Sequence, residues 1–158
     1  MGINYTRFKA VEATDPRLGC KLSHLSVLSN YDSEVIFIFE DDSVFVDDFD
    51  KKFEEAMNSV PQDWHMLYLG AHLLQKEPVN DYWVRSLECS STHAYAVKKQ
   101  FVPRLIKQGM NPDNHIDVDY ASLHKELIAY AARPTLVYQG PSHSDILGDD
   151  VDYTYLYF

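Results

Sequence analysis

The triplet Glu40-Asp41-Asp42 is where this sequence concentrates its chemistry. It closes an unbroken β-branched and aromatic run, Val35-Ile36-Phe37-Ile38-Phe39. Such a run reads as a buried central strand of parallel type, and buried strands ordinarily end in turn residues. Three like charges at one strand end repel and raise one another's pKa values. A divalent cation removes that penalty. Oxygen ligands suit Mg2+ or Mn2+, and both ions also bridge phosphate oxygens. The functional reading is a metal-diphosphate site, with one carboxylate on the metal and another on a ribose hydroxyl or a sugar. The alternative is a solvated acidic turn at a helix N-terminus, which also favours negative charge. A phosphohydrolase or a receiver-like domain could carry a similar cluster, so the triplet alone leaves the reaction open.

The elements that must position the triplet alternate along the chain. Residues 5–11 read as a short strand or extended lead-in. Leu18, Leu22, Leu25 and Leu28 fall at helical spacing across residues 18–31. Asp47 or Asp48 is placed to cap a helix whose face is Phe49, Phe53, Ala56 and Met57, and Pro61 ends it. Residues 64–69 read as a second buried strand, closed by Gly70. Residues 83–87 and 92–97 read as two strands around a polar turn at 88–91. Helices are expected over 98–108 and 117–127, and short strands over 128–132 and 135–139. This pattern predicts one α/β domain, a sandwich around a mostly parallel sheet. Ligands in such sheets bind beyond the carboxyl ends of the strands.

Composition narrows the partners. The chain has 158 residues, enough for one core, and a hydrophobic fraction of 46%. Its net charge of −10 repels nucleic acid, yet allows an anionic ligand bridged by a cation. The two cysteines, Cys20 and Cys89, are far apart, which argues against a disulfide framework and a structural zinc site. No stretch reaches transmembrane length and no signal peptide is visible, so cytoplasm is the default expectation.

Six segments in order resemble glycosyltransferase family 25, which includes lipooligosaccharide and collagen galactosyltransferases. They are GCKLSHLSVL, VIFIFEDDSVF, DWHMLYLGAH, STHAYAVKKQFVPRLI, HIDVDYAS and LVYQGPSHSDI. The resemblance implies a GT-A-like three-layer sandwich, a UDP-sugar donor, Mn2+ or Mg2+, and an inverting transfer to a hydroxyl of a glycan or protein. By position it implies Asp42 as principal metal ligand, Glu40 on the ribose or donor side and Asp41 in support. It adds Ser23, His24, Gly70, Ser144 and Asp145 to the donor site, and His143 as a late metal ligand. Asp117 is the implied general base, with Asp119 as the fallback. Aspartates at that spacing also serve as helix N-caps. Family members usually open with a further strand, whereas this sequence starts near the segment holding Arg7 and Phe8. That difference leaves a non-catalytic binding or scaffold domain of the same fold as the alternative. It also raises the expectation of a homodimer that covers an exposed strand edge.

Overall fold

The computed structural model describes residues 4–144, 146 and 148–157. Residues 5–11, expected as a strand, have no regular structure. They lead into helix α1, Pro16–Asn30. Asp15 caps α1 by accepting a hydrogen bond from the Arg17 N–H at 3.0 Å, and Pro16 occupies the first turn, where no backbone donor is needed. The buried face of α1 follows the leucine stripe only in its second half, where Leu25 and Leu28 meet the core. Gly19, Lys21, His24 and Leu28 are buried, while Leu18 and Leu22 are exposed. The helix therefore turns polar side chains inward.

Strands β1 (Val35–Phe39) and β2 (Ser43–Phe45) flank the acidic triplet. Helix α2, Phe49–Ser59, buries Phe49 and Ala56. Asp48 holds its N-cap position at φ 56°, without a side-chain capping bond. Two long strands follow, β3 (Met66–Pro78) and β4 (Trp83–Lys98). Helices α3 (Val102–Gly109) and α4 (Ile116–Ser122) come next. Helix α4 passes into a 3-10 turn at Leu123–Lys125, so the helix expected over 117–127 is shorter. Short strands β5 (Ala129–Ala132), β6 (Val137–Gln139), β7 (Ser142–Ser144) and β8 (Asp149–Val151) complete the chain, with a last 3-10 turn at Thr154–Leu156.

The main sheet is mixed, with strand order β1-β4-β3-β5. Only β3 and β5 run parallel; β1–β4, β3–β4 and β4–β5 are antiparallel. The expectation of a mostly parallel sheet fails because β3 and β4 form one hairpin. Asn80 closes it, its Oδ1 accepting from the Tyr82 and Trp83 N–H groups. The strands run on where sequence pattern broke them. Register shifts beside Gly70 and between Leu73 and Lys76 absorb the irregular residues of β3. Strand β1, read as central, is the outer strand of this sheet among the described residues.

Alternation along the strands sorts the core into two faces. Ile36, Ile38, Met66, Tyr68, Tyr95, Val97, Ala129 and Ala131 pack with Leu28, Leu105, Ile116 and Tyr120 of α1, α3 and α4. Leu67, Leu69, Ala94, Ala96, Tyr130 and Ala132 pack with Phe49 and Ala56 of α2. Helices thus cover both faces of the sheet. No helix among the described residues is long and apolar enough to cross a membrane.

Candidate active site

The acidic triplet sits in the turn between β1 and β2, closed by the Ser43 N–H on the Glu40 carbonyl at 3.1 Å. The turn sends its carboxylates in different directions. Glu40 points toward α1: its Oε1 lies 3.0 Å from His24 Nε2 and accepts from Thr92 Oγ1 at 2.9 Å. Asp41 is exposed. Asp42 turns toward β6, where Gln139 Nε2 donates to its Oδ2 at 2.6 Å. The Gly140 N–H donates to its backbone carbonyl at 3.0 Å.

The two partly buried carboxylates titrate in opposite senses. Burial works against the charge on Glu40, but His24 and Thr92 outweigh it and hold its pKa low. Burial also works against charge on His24. Its bonds to Cys20 and Glu40 prevail and lift it to about 10, so His24 and Glu40 form a buried ion pair. Asp42 goes the other way: burial raises its pKa, Gln139 lowers it, and the Glu40 and Asp41 charges add to the rise.

His93 ties this turn to the rest of the site. It is fully buried on β4, and its Nε2 donates to the Val137 carbonyl at 3.1 Å. Its Nδ1 meets the Ser91 hydroxyl. Ser91 takes φ 83°, a conformation costly for a residue with a Cβ. That turn aims the Ser91 N–H at Asp117 Oδ2, 3.1 Å away. The half-buried Asp117 carboxylate, in the first turn of α4, is thereby linked through Ser91 and His93 toward the triplet.

The profile of glycosyltransferase family 25 (LPS biosynthesis protein) matches residues 3–112. The chain belongs to glycosyltransferase family 25. No curated protein matches it. In this family 25 chain the matched stretch includes α1, the triplet, the β3–β4 hairpin and α3. Asp117, Asp119 and Ser144 lie beyond it, so their roles rest on geometry.

The sites expected from sequence separate accordingly. Glu40 and His24 pair at the β1 end, Asp42 faces Gln139 of β6 instead, and Asp117 is held by the Ser91 N–H, whose hydroxyl meets His93. Asp119 is fully buried instead, with Oδ2 2.8 Å from Lys21 Nζ and Oδ1 accepting from Asn114 Nδ2 at 3.1 Å. Ser23 faces away from the triplet: its hydroxyl accepts from the Val11 N–H and donates to the Gly19 carbonyl. Gly70 is a packing residue, since a Cβ there would lie 1.7 Å from the Val137 carbonyl oxygen and 2.5 Å from His93 Nε2. Ser144 lies on β7, where its carbonyl accepts from the Gly148 N–H. Asp145 and the side chain of His143 lie outside the described residues.

Sequence reading gave no role of their own to Cys20 or Lys21. The signal for Cys20 was its i, i+4 spacing from His24 on one helix face.

Proposed function

We propose that this family 25 chain is a GT-A-like, inverting, metal-dependent glycosyltransferase. Its donor is a UDP-sugar, and its acceptor is a saccharide hydroxyl of the kind found in lipopolysaccharide. The observation that carries this reading is Asp42. Its carboxylate follows two further carboxylates at a strand end, with its pKa raised by burial and by their charges. A cation relieves that combination further than the Gln139 amide does, while keeping the group ionised. Mn2+ and Mg2+ fit this donor chemistry, because such ions take one or two carboxylates and complete their shell with water and phosphate oxygens. A bound ion would stabilise the charge of the departing diphosphate.

The chain's own residues then divide the work. Asp42 holds the cation, oriented by Gln139. Asp117, on the far side of Ser91, accepts the acceptor's hydroxyl proton through an oxygen on its half-exposed carboxylate. The Ser91 N–H orients that carboxylate.

Titration of UDP into the protein by calorimetry, with Mn2+ and then with EDTA, tests the reading. Binding that needs Mn2+ and is lost in Asp42→Ala is expected. Equal affinity in Asp42→Ala would remove Asp42 from the site. Absence of binding in either condition would favour a binding or scaffold domain without donor chemistry.

A further inference from the structure

A second cluster lies on the helix side of the triplet. Cys20 and His24 stand one turn apart on the inner face of α1, and Glu40 reaches them from the end of β1. Cys20 Sγ, a His24 ring nitrogen and a Glu40 carboxylate oxygen all lie within 4.8 Å of one another, the sole such trio among the described residues. We infer that Cys20, His24 and Glu40 form a binding site for a borderline-soft divalent cation, of which Zn2+ is the type.

The donor chemistry is distinct from that of Asp42. Thiolate, imidazole and carboxylate together are zinc ligands, whereas Mn2+ and Mg2+ favour oxygen. Three protein ligands leave a fourth position for water, an open zinc site rather than a closed structural one. Zinc–ligand bonds of about 2.0–2.3 Å put the ligand atoms of one ion roughly 3–4 Å apart, and side-chain rotation brings atoms within 4.8 Å of one another to that spacing.

An independent observation supports a ligand role for His24. Its ring is 5% exposed, and its Nδ1 is already taken by the Tyr95 hydroxyl at 3.1 Å. Metal-binding histidines are characteristically oriented by such a second partner, which fixes the tautomer and frees the other nitrogen. Here the other nitrogen, Nε2, is the one that faces Glu40. Thr92 holds the same Glu40 oxygen from the opposite side. The ligands are therefore positioned by α1, β1 and β4 before any ion arrives. Thiolate and neutral imidazole are the forms that ligate, so affinity is expected to rise with pH.

Cobalt is the probe, because a thiolate bound to Co2+ gives an intense near-ultraviolet charge-transfer band that oxygen sites lack. The reduced full chain, titrated with Co2+ alone, is expected to develop this band at one ion per chain and to lose it on adding Zn2+. Cys20→Ser is expected to abolish the band and Cys89→Ser to keep it. Asp42→Asn is expected to keep the band while losing Mn2+-dependent UDP binding, which separates this site from the donor site. A wild-type protein with no thiolate band overturns the inference, whatever the variants do. So does a band that persists undiminished in Cys20→Ser.

Discussion

Asp117 and Asp119 are two residues apart in sequence, yet they live in different environments. Asp119 is a structural charge. Its carboxylate is sealed under Lys21, which also donates to the Asn111 carbonyl, and its second oxygen is taken by Asn114. Removing one member of a buried pair strands the other charge. Asp119→Ala is therefore expected to cost about 3 kcal/mol or more of stability in urea unfolding. Asp117 shares its oxygens with the Ser91 and Val118 N–H groups and remains partly open. Asp117→Asn is expected to cost about 1 kcal/mol, because its single amide oxygen still accepts one of the two N–H bonds and the other is lost at a partly open site. It is also expected to keep UDP binding and to reduce transfer by at least about a hundredfold. Transfer that survives at the wild-type rate would place the base elsewhere. The sequence could not separate the two aspartates, since both fit a helix first turn. Their difference arises from Lys21, whose burial is unusual for its type and whose partner is distant in sequence.

At the scale of elements, period and composition disclosed α1, β1, α2, α3 and the short strands β5 and β6. They did not disclose the β3–β4 hairpin. Gly70 and the polar residues 88–91 look like terminators, and in an isolated strand they would be. Here both strands continue through bulges, because each is paired along its length by the other. Gly70 has a packing reason: β6 crosses directly over it, and His93 fills the space beside it. The Cβ of Gly70→Ala would collide with backbone, which has no rotamer to escape by. The expected cost is about 3 kcal/mol or more, with loss of His93 order. Thermal unfolding of the variant checks it; a melting temperature equal to wild type would show that β6 does not press on β3. The same hairpin explains how the site escaped full sequence reading. The Thr92 hydroxyl reaches the Glu40 carboxylate, and the His93 carbonyl takes the Glu40 N–H and the Ser43 hydroxyl, only because β4 continues past Ser91 and pairs with β1.

For the whole molecule, the buried histidines set how stability follows pH. His124 is 2% exposed between the hydroxyls of Tyr68 and Ser86, and burial, with the Arg85 charge, lowers its pKa to about 4. Burial and the neighbouring His93 lower His72 to about 4 as well, under the rings of Tyr153 and Tyr157. Both groups are depressed in the folded state, so the unfolded chain binds the extra protons first. Their contribution to stability is full well above the ordinary histidine pKa of about 6.5 and falls as pH is lowered through it. It levels off only below about 4, where the folded protein takes up the same protons. His24 behaves oppositely: raised to about 10, it contributes fully below the ordinary histidine value and loses stability only above it. Between pH about 6.5 and about 5 His24 is therefore silent, and His124 and His72 should each remove about 1.5 kcal/mol. Urea unfolding at those two pH values should show the drop in the wild-type chain. His124→Gln, which has no proton to gain, should reduce it by that amount, while His72, His93 and His65, also lowered in the folded state, keep the remainder. An unchanged slope in that variant would mean that His124 is already charged in the folded protein, and that the Tyr68–His124–Ser86 contact is not the neutral buried network its geometry describes.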